Sequence, residues 1–306
     1  MTTSAYTPLR PSLPSSQRVR DLDYHLLHWG QPAADRPLLV LLHGWMDVAA
    51  SYQFLVDALP ASYAAAAADW RGFGGTPVPP GTDHFVFADY LLDLDYLLEQ
   101  LSPEQPVDLI GHSMGANIAL QYAGLRPQRI RKLVNLEGFG LPATQPEQAP
   151  QRLIDWMDHV RKLRQGELQL RSYPDLASVA RRLQKNNPRL PDDKALWLAS
   201  HWAQQADDGR WHIRAHPAHK APGSQLYHAD EAAAVLRRIT APTLCITASD
   251  DSLASFWGDR YTFADYQQRM QEIPDVRHAV VQDAGHMLHH DQPAALAPLI
   301  DAFLQE

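Results

Sequence analysis

Leu109-Ile110-Gly111-His112-Ser113-Met114-Gly115-Ala116-Asn117-Ile118 is the stretch on which the reading of this chain turns. An apolar run from Val107 to Ile110 meets Gly-His-Ser-Met-Gly, and a helical pattern from Ala116 to Leu125 follows at once. A strand that turns sharply into a helix presents the residue at the turn, here Ser113, beyond the end of the strand. The flanking glycines have a mechanical reason. A strained backbone at 113 brings positions 111 and 115 against the neighbouring strand and helix, where side chains would collide. Gly-x-Ser-x-Gly by itself is common, so the surrounding sequence has to carry the reading.

On the N-terminal side, Leu22 to Trp29 alternates as a strand does, and Leu38 to Leu42 is apolar on both faces. The second pattern suits a central parallel strand covered by helices. It ends in His43-Gly44-Trp45-Met46-Asp47. Ala49 to Leu59 reads as a helix, Tyr63 to Ala68 as a strand, and Asp69-Trp70-Arg71-Gly72-Phe73-Gly74-Gly75-Thr76 as the loop after it. Phe87 to Leu101 carries Tyr90, Leu91, Leu94, Leu97, Leu98 and Leu101 at helical spacing. On the C-terminal side Ile130 to Leu136 is another apolar strand. Strands alternating with helices predict an α/β fold with a doubly wound, mostly parallel sheet, its ligand site beyond the carboxyl ends of the strands.

From Pro142 to Glu231 the alternation breaks into a stretch rich in Gln, Arg, Pro and Trp, with helical periodicity and no strand-like run. Core order then resumes with a helix Asp230 to Arg238, a strand Pro242 to Thr247, a helix Thr262 to Glu272, a strand Val276 to Val281 and a closing helix Ala294 to Leu304. The expected organisation is a flexible segment over 1–20, a core formed by 21–141 and 232–306, and an inserted helical lobe over 142–231.

Composition narrows the function classes. With 45% hydrophobic and 20% charged residues the chain can bury a full core. A net charge of −8 without a long basic run argues against nucleic acid or an anionic membrane surface as partner. The single cysteine, Cys245, excludes an internal disulfide. The Ser/Pro/Thr-rich opening lacks the apolar centre of a signal peptide, and no run approaches the roughly 18 apolar residues of a membrane span. A soluble, cytoplasmic protein of unread oligomeric state is the expectation.

The Gly111–Gly115 turn in this context resembles the alpha/beta-hydrolase family, from about residue 22 to the C-terminus. The resemblance implies a cofactor-free serine hydrolase with a helical cap formed by the inserted lobe. A serine hydroxyl needs a base to take its proton and an acid to orient that base. Asp283-Ala284-Gly285-His286, after the strand Val276 to Val281, resembles the family's terminal Gly-His loop and implies His286 as base. Ala248-Ser249-Asp250-Asp251-Ser252 stands where the family's acid normally lies, which gives that role to Asp251 by position. Asp250 is an alternative, and so is Glu137, at the end of the preceding strand, where some members place theirs. The oxyanion donors implied are the backbone N–H groups of Met114 and of Trp45. Trp and Met in that loop, where some esterases have glycines, imply a narrower acyl pocket and argue against bulky tertiary-alcohol esters.

Other residues admit two readings. In Asp69-Trp70-Arg71-Gly72-Phe73-Gly74 the Asp and Arg fit a turn that fixes nearby loops, with the aromatics at the site's mouth. Trp156, Trp197, Trp202 and Trp211 can serve the lobe's own core or the substrate wall. Trp156 and Trp202, with His43 and His112, are the candidate pocket residues. His212, His216 and His219 have helical spacing, but Pro217 interrupts them and no carboxylate or thiolate completes a set, so no metal is expected. The leading expectation is hydrolysis of a small carboxylic ester with an apolar acyl group. Diketone, amide or lactone cleavage would use the same triad, and a hydrolase-like receptor for a small signal molecule is the reading from another class.

Overall fold

The computed structural model describes residues 5–33 and 36–306. Eight strands form one sheet in the order β1-β2-β4-β3-β5-β6-β10-β11. Chain order gives β1 (Leu13–Val19), β2 (Leu22–Trp29), β3 (Leu39–Leu42), α1 (Gln53–Ala58), β4 (Ala65–Ala68), α2 (Phe87–Leu101), β5 (Val107–His112), α3 (Met114–Leu125) and β6 (Ile130–Leu136). After an insertion the sheet is completed by α7 (Ala229–Leu236), β10 (Thr243–Ala248), α8 (Ser252–Trp257), α9 (Phe263–Met270), β11 (Val276–Val281), α10 (Leu288–Asp291) and α11 (Pro293–Gln305). From β4 to β11 every neighbouring pair is parallel, while β1 and β2 run antiparallel at one edge.

The continuous apolar runs are explained by two separate cores, one on each face. Successive side chains of a strand point to opposite faces. Leu39 and Leu41 of β3 accordingly pack in one core and Val40 and Leu42 in the other. Ile110 of β5 joins the first core and Leu109 the second. Every residue of β4 is a buried alanine, a poor strand former by propensity. Pairing to β3 on one side and β2 on the other overrides that preference.

The structure corrects the expected organisation twice. Leu13 to Val19, placed in a flexible 1–20 segment, pair antiparallel with Leu22 to His28. Upstream, the Tyr6 hydroxyl donates to Asp57 at 2.5 Å and Arg10 binds the carbonyls of Val56 and Pro60. Serines and prolines hid this edge strand, because one of its faces meets solvent and needs no apolar alternation. Residues 1–4 of that segment lie outside the described residues.

The second correction concerns the insertion between β6 and β10. It holds α4 (Ala149–Arg164), α5 (Leu176–Asn186) and α6 (Asp192–Trp202), but also a three-stranded antiparallel sheet of β7 (Ser172–Tyr173), β9 (Trp211–Ile213) and β8 (Ala203–Gln205). Strands of two or three residues are too short to show a period-two pattern. Trp202 closes α6, and its Nε1–H donates to the carbonyl of Met46 at 2.8 Å, which ties the insertion to the loop after β3.

Candidate active site

The turn after β5 is strained as its glycines suggested. Ser113 has φ 52° and ψ −115°, a conformation that costs a side-chain-bearing residue about 1–3 kcal/mol. It is held by Ser113 N–H donating to Leu136 O at 2.9 Å, and by Asn117 N–H donating to Ser113 O at 3.0 Å. A Cβ at Gly115 would overlap the carbonyl of Leu42, and one at Gly111 would overlap the backbone of Ala116. Close backbone approach therefore requires both glycines.

His286 lies in the loop between β11 and α10, and its Nε2 is 2.9 Å from Ser113 Oγ. Two contacts set that loop. Gly285 N–H donates to Asp291 at 2.9 Å, and His112 Nε2 lies 2.7 Å from the His286 carbonyl. A carbonyl only accepts, so His112 Nε2 carries the proton and donates. Phe256 meets the His286 ring edge-on at 4.8 Å between centroids, and Phe139 stacks at 6.4 Å. Neither was singled out in the sequence: Phe256 sits in α8, a helix too short to register as a period.

The carboxylate beside His286 is that of Glu137. Its Oε2 lies 3.2 Å from His286 Nδ1, while Oε1 accepts the Ala248 N–H at 2.8 Å. Glu137 is 2% exposed and has φ 55°, a left-handed turn at the end of β6. That turn is braced by Glu137 N–H donating to Ile246 O at 3.1 Å, and by Asn135 Oδ1 accepting the Gly138 N–H at 2.8 Å. Asp251, expected at this position, instead caps α8 by accepting the Ala254 N–H at 2.8 Å. Asp250 forms a two-pronged pair with Arg189 at 2.7 and 3.1 Å. The sheet order gives the reason: β6 adjoins β5, whereas β10 is one strand further from Ser113.

The remaining candidates divide. Trp45, Met114, His112 and Trp202 line a cavity of about 2020 Å³ together with Ser113, Glu137 and His286. His43 and Trp156 are absent from its wall. His43 is buried under the loop: its Nε2 accepts the Trp70 N–H at 2.9 Å, leaving Nδ1 to donate to Gly44 O at 2.8 Å. Burial lowers its pKa. Trp156 packs edge-on against His84.

The Asp69–Gly74 loop is a brace. Asp69 accepts the Ala49 N–H at 2.7 Å and the Gly75 N–H at 2.8 Å and pairs with His25 at 2.8 Å. Arg71 forms a fork with Asp93 at 2.6 and 2.9 Å. Its aromatics do not line the mouth: Trp70 and Phe73 are fully buried in the core. The spaced histidines His212, His216 and His219 do not converge on one site. His212 faces Asp208 at 3.3 Å, whereas His219 is stacked between Phe73 and Phe85, and burial pushes its pKa down to about 3.

Beneath the turn, Asp47, His112 and His289 each bring a potential metal-ligand atom within 4.8 Å of the others, the one such grouping among the described residues. Asp47 Oδ2, His112 Nδ1 and His289 Nδ1 are buried with no hydrogen-bond partner among those residues. Burial pushes the Asp47 carboxyl up to about 7 and both imidazoles well below their ordinary value.

A hydroxyl, an imidazole and a buried carboxylate thus stand in series, at 2.9 and 3.2 Å, at the carboxyl ends of parallel strands of an α/β sheet. The chain belongs to the alpha/beta hydrolase fold family, whose model matches residues 37–293. Among its relatives is a serine hydrolase-like protein of Danio rerio, 27% identical over 292 residues that cover 90% of this chain and 83% of that protein. A cis-3-alkyl-4-alkyloxetan-2-one decarboxylase of Shewanella oneidensis is 25% identical over 286 residues, covering 89% and 86%. Among solved structures, the thioesterase domain from the curacin biosynthetic pathway superposes with a TM-score of 0.78 at 25% identity, covering 94% of this chain and 98% of that one. Family and relatives mark the chain as a hydrolase. Among the described residues no helix is long and apolar enough to cross a membrane.

Proposed function

We propose that the protein hydrolyses a carboxylic ester or thioester through an acyl-enzyme on Ser113, with His286 as base and Glu137 as the orienting acid. The observation that carries this reading is the series Ser113 Oγ, His286 Nε2 at 2.9 Å, and His286 Nδ1 to Glu137 Oε2 at 3.2 Å. A carboxylate can only accept, so it keeps the proton on Nδ1 and leaves Nε2 with a lone pair facing the hydroxyl.

In the first half-reaction Ser113 Oγ bonds to the carbonyl carbon while its proton passes to His286 Nε2. The tetrahedral intermediate places its oxyanion at the backbone N–H groups of Met114 and Trp45, each such donor contributing about 3 kcal/mol to transition-state stabilisation. The carbon–oxygen or carbon–sulfur bond then breaks, and His286 returns the proton to the leaving group. In the second half a water gives its proton to His286 and attacks the acyl carbon; the bond from that carbon to Ser113 Oγ breaks, His286 returns the proton to Oγ, and the acid leaves. Residues 142–231 act as a cap over the cleft, with Trp202 anchored to Met46 beside the oxyanion loop. Phe139 and Phe256 pack against the imidazole and present apolar surface beside it.

The test is a panel of p-nitrophenyl esters and thioesters of graded acyl length, run on the wild type and on Ser113→Ala. Turnover lost in the variant supports the reading. Equal rates for the two proteins on every substrate overturn it.

A further inference from the structure

The charge around the cavity is opposite in sign to that of the protein. The chain carries 35 acidic against 27 basic side chains. Among the described residues the only carboxylates on the cavity wall are those of Asp47, Glu137 and Glu231, of which the first two are buried. The same wall carries Arg152, Arg171, Arg182, Lys185, Lys220, Arg260 and Arg269. None of these seven cations is paired with a carboxylate among the described residues, although pairing is common elsewhere on the surface.

The difference runs along individual helices. On α4, Arg161 and Arg164 pair with Asp158 and Asp83, whereas Arg152 lines the cavity without an acid. Among the described residues its side chain bonds only the Gly223 carbonyl, at 3.3 Å, and its Nε is buried with no partner. On α5, Arg181 approaches Asp175 at 3.8 Å, whereas the adjacent Arg182, facing the cavity, bonds only the neutral Asn186. Arg171 and Arg260 lie over the rings of Tyr173 and Trp257, which hold the guanidinium planes without neutralising them. Around His286, whose Nε2 lies 2.9 Å from Ser113 Oγ, the wall is of another kind, with the rings of Phe139 and Phe256.

A cleft lined by one sign of charge focuses its field and concentrates ligands of the opposite sign. We infer that the substrate is an acyl ester or thioester carrying an anionic group, phosphate or carboxylate, remote from the scissile bond: the apolar wall takes the acyl carbons next to Ser113, and the cationic insertion takes the charge. The inference rests on the hydrolase reading above and adds to it the substrate class. The anion can belong to the leaving group or to the far end of the acyl chain, and the two sources separate by experiment.

The assay uses two matched pairs with the same scissile bond. Butyryl-coenzyme A and neutral S-butyryl-N-acetylcysteamine test a charged leaving group. Mono-p-nitrophenyl succinate and p-nitrophenyl butyrate test a charged acyl end. At low salt the anionic member of at least one pair is expected to exceed its neutral partner in kcat/KM by about tenfold or more, with the ratio shrinking several-fold at about 0.5 M salt. The pair that shows the ratio identifies the source of the charge. Arg182→Gln combined with Lys185→Gln should cut the ratio about fivefold, whereas Arg161→Gln, outside the cavity, should leave it in place. Ratios at or below one in both pairs, or ratios indifferent to salt and to the α5 substitutions, overturn the inference while Ser113-dependent turnover of the neutral esters leaves the hydrolase reading standing. Turnover of none of the four substrates, or turnover unchanged in Ser113→Ala, overturns the hydrolase reading itself.

Discussion

Glu137 divides its buried carboxylate between two partners, Oε2 toward His286 Nδ1 at 3.2 Å and Oε1 on the Ala248 amide at 2.8 Å. The second bond fixes the carboxylate plane to the end of β10, so the first can hold one imidazole tautomer. Glu137→Gln keeps the shape but offers an amide that can donate to Nδ1. We expect kcat to fall by about 10³–10⁴-fold, the scale seen when a triad acid becomes its amide. Asp251→Asn should leave kcat within about twofold, because Asn caps a helix as well as Asp does. Kinetics of the two variants side by side check this, and the reverse ranking would return the acid to β10.

Trp202→Phe removes the indole N–H that holds Met46 O at 2.8 Å while keeping an aromatic ring in the insertion. Met46 has φ 55°, so its loop depends on such restraints. The lost bond is expected to cost about 1 kcal/mol. Because Met46 follows Trp45, kcat should suffer along with KM, and a steady-state comparison on one ester measures both.

Gly111→Ala and Gly115→Ala place a methyl group on backbone that cannot retreat, Ala116 in one case and the Leu42 carbonyl in the other. Each should cost about 3 kcal/mol or more, at the severe end for a point substitution. Chemical denaturation is the readout. By contrast Gly166→Ala, at an exposed turn with φ 76° and open space, should cost about 1–2 kcal/mol from backbone strain alone.

Buried histidines set the acid limit of stability. Burial lowers the pKa of His43, His112, His289 and His290, the last to about 3. Below about pH 6.5 the unfolded chain binds protons that the folded one refuses, so stability present above that pH is lost as pH falls toward 3. Asp47, raised to about 7, acts in the other direction between about 4 and 7, since the folded state holds a proton that the unfolded state releases. Asp108 and Asp291 are raised by burial too, but the histidines lowered by burial, His201 and His219 among them, outnumber these carboxyls, and Tm should fall steadily from pH 7 to pH 5. His290→Asn should flatten the slope by about one proton, about 1.4 kcal/mol per pH unit, in urea titrations at the two pH values.

Several elements were legible because their signal is local. The β3 and β5 runs, the Gly-His-Ser-Met-Gly turn and the Gly285-His286 loop each show a pattern within ten residues, and β11 falls at 276–281 as expected. The edge strand β1, the small sheet of the insertion and α8 did not show, because a solvent-facing strand, a two-residue strand and a helix of six residues carry too few periods. The cavity-facing cations were equally hidden: Arg181 and Arg182 are neighbours in sequence, and only the helix phase sends one to Asp175 and the other inward.

The amino-acid sequence by itself determined the alternation of strand and helix, the strained turn that presents Ser113, and the histidine loop, because each follows from hydrophobic period and backbone sterics over short range. Only the tertiary structure decided that Glu137 and not Asp251 faces His286. Both acids end a strand, and the choice depends on sheet order: β6 lies beside β5, and a left-handed turn at 137 aims the carboxylate across the strand ends. Strand order is a relation among segments far apart in the chain, and no local pattern encodes it.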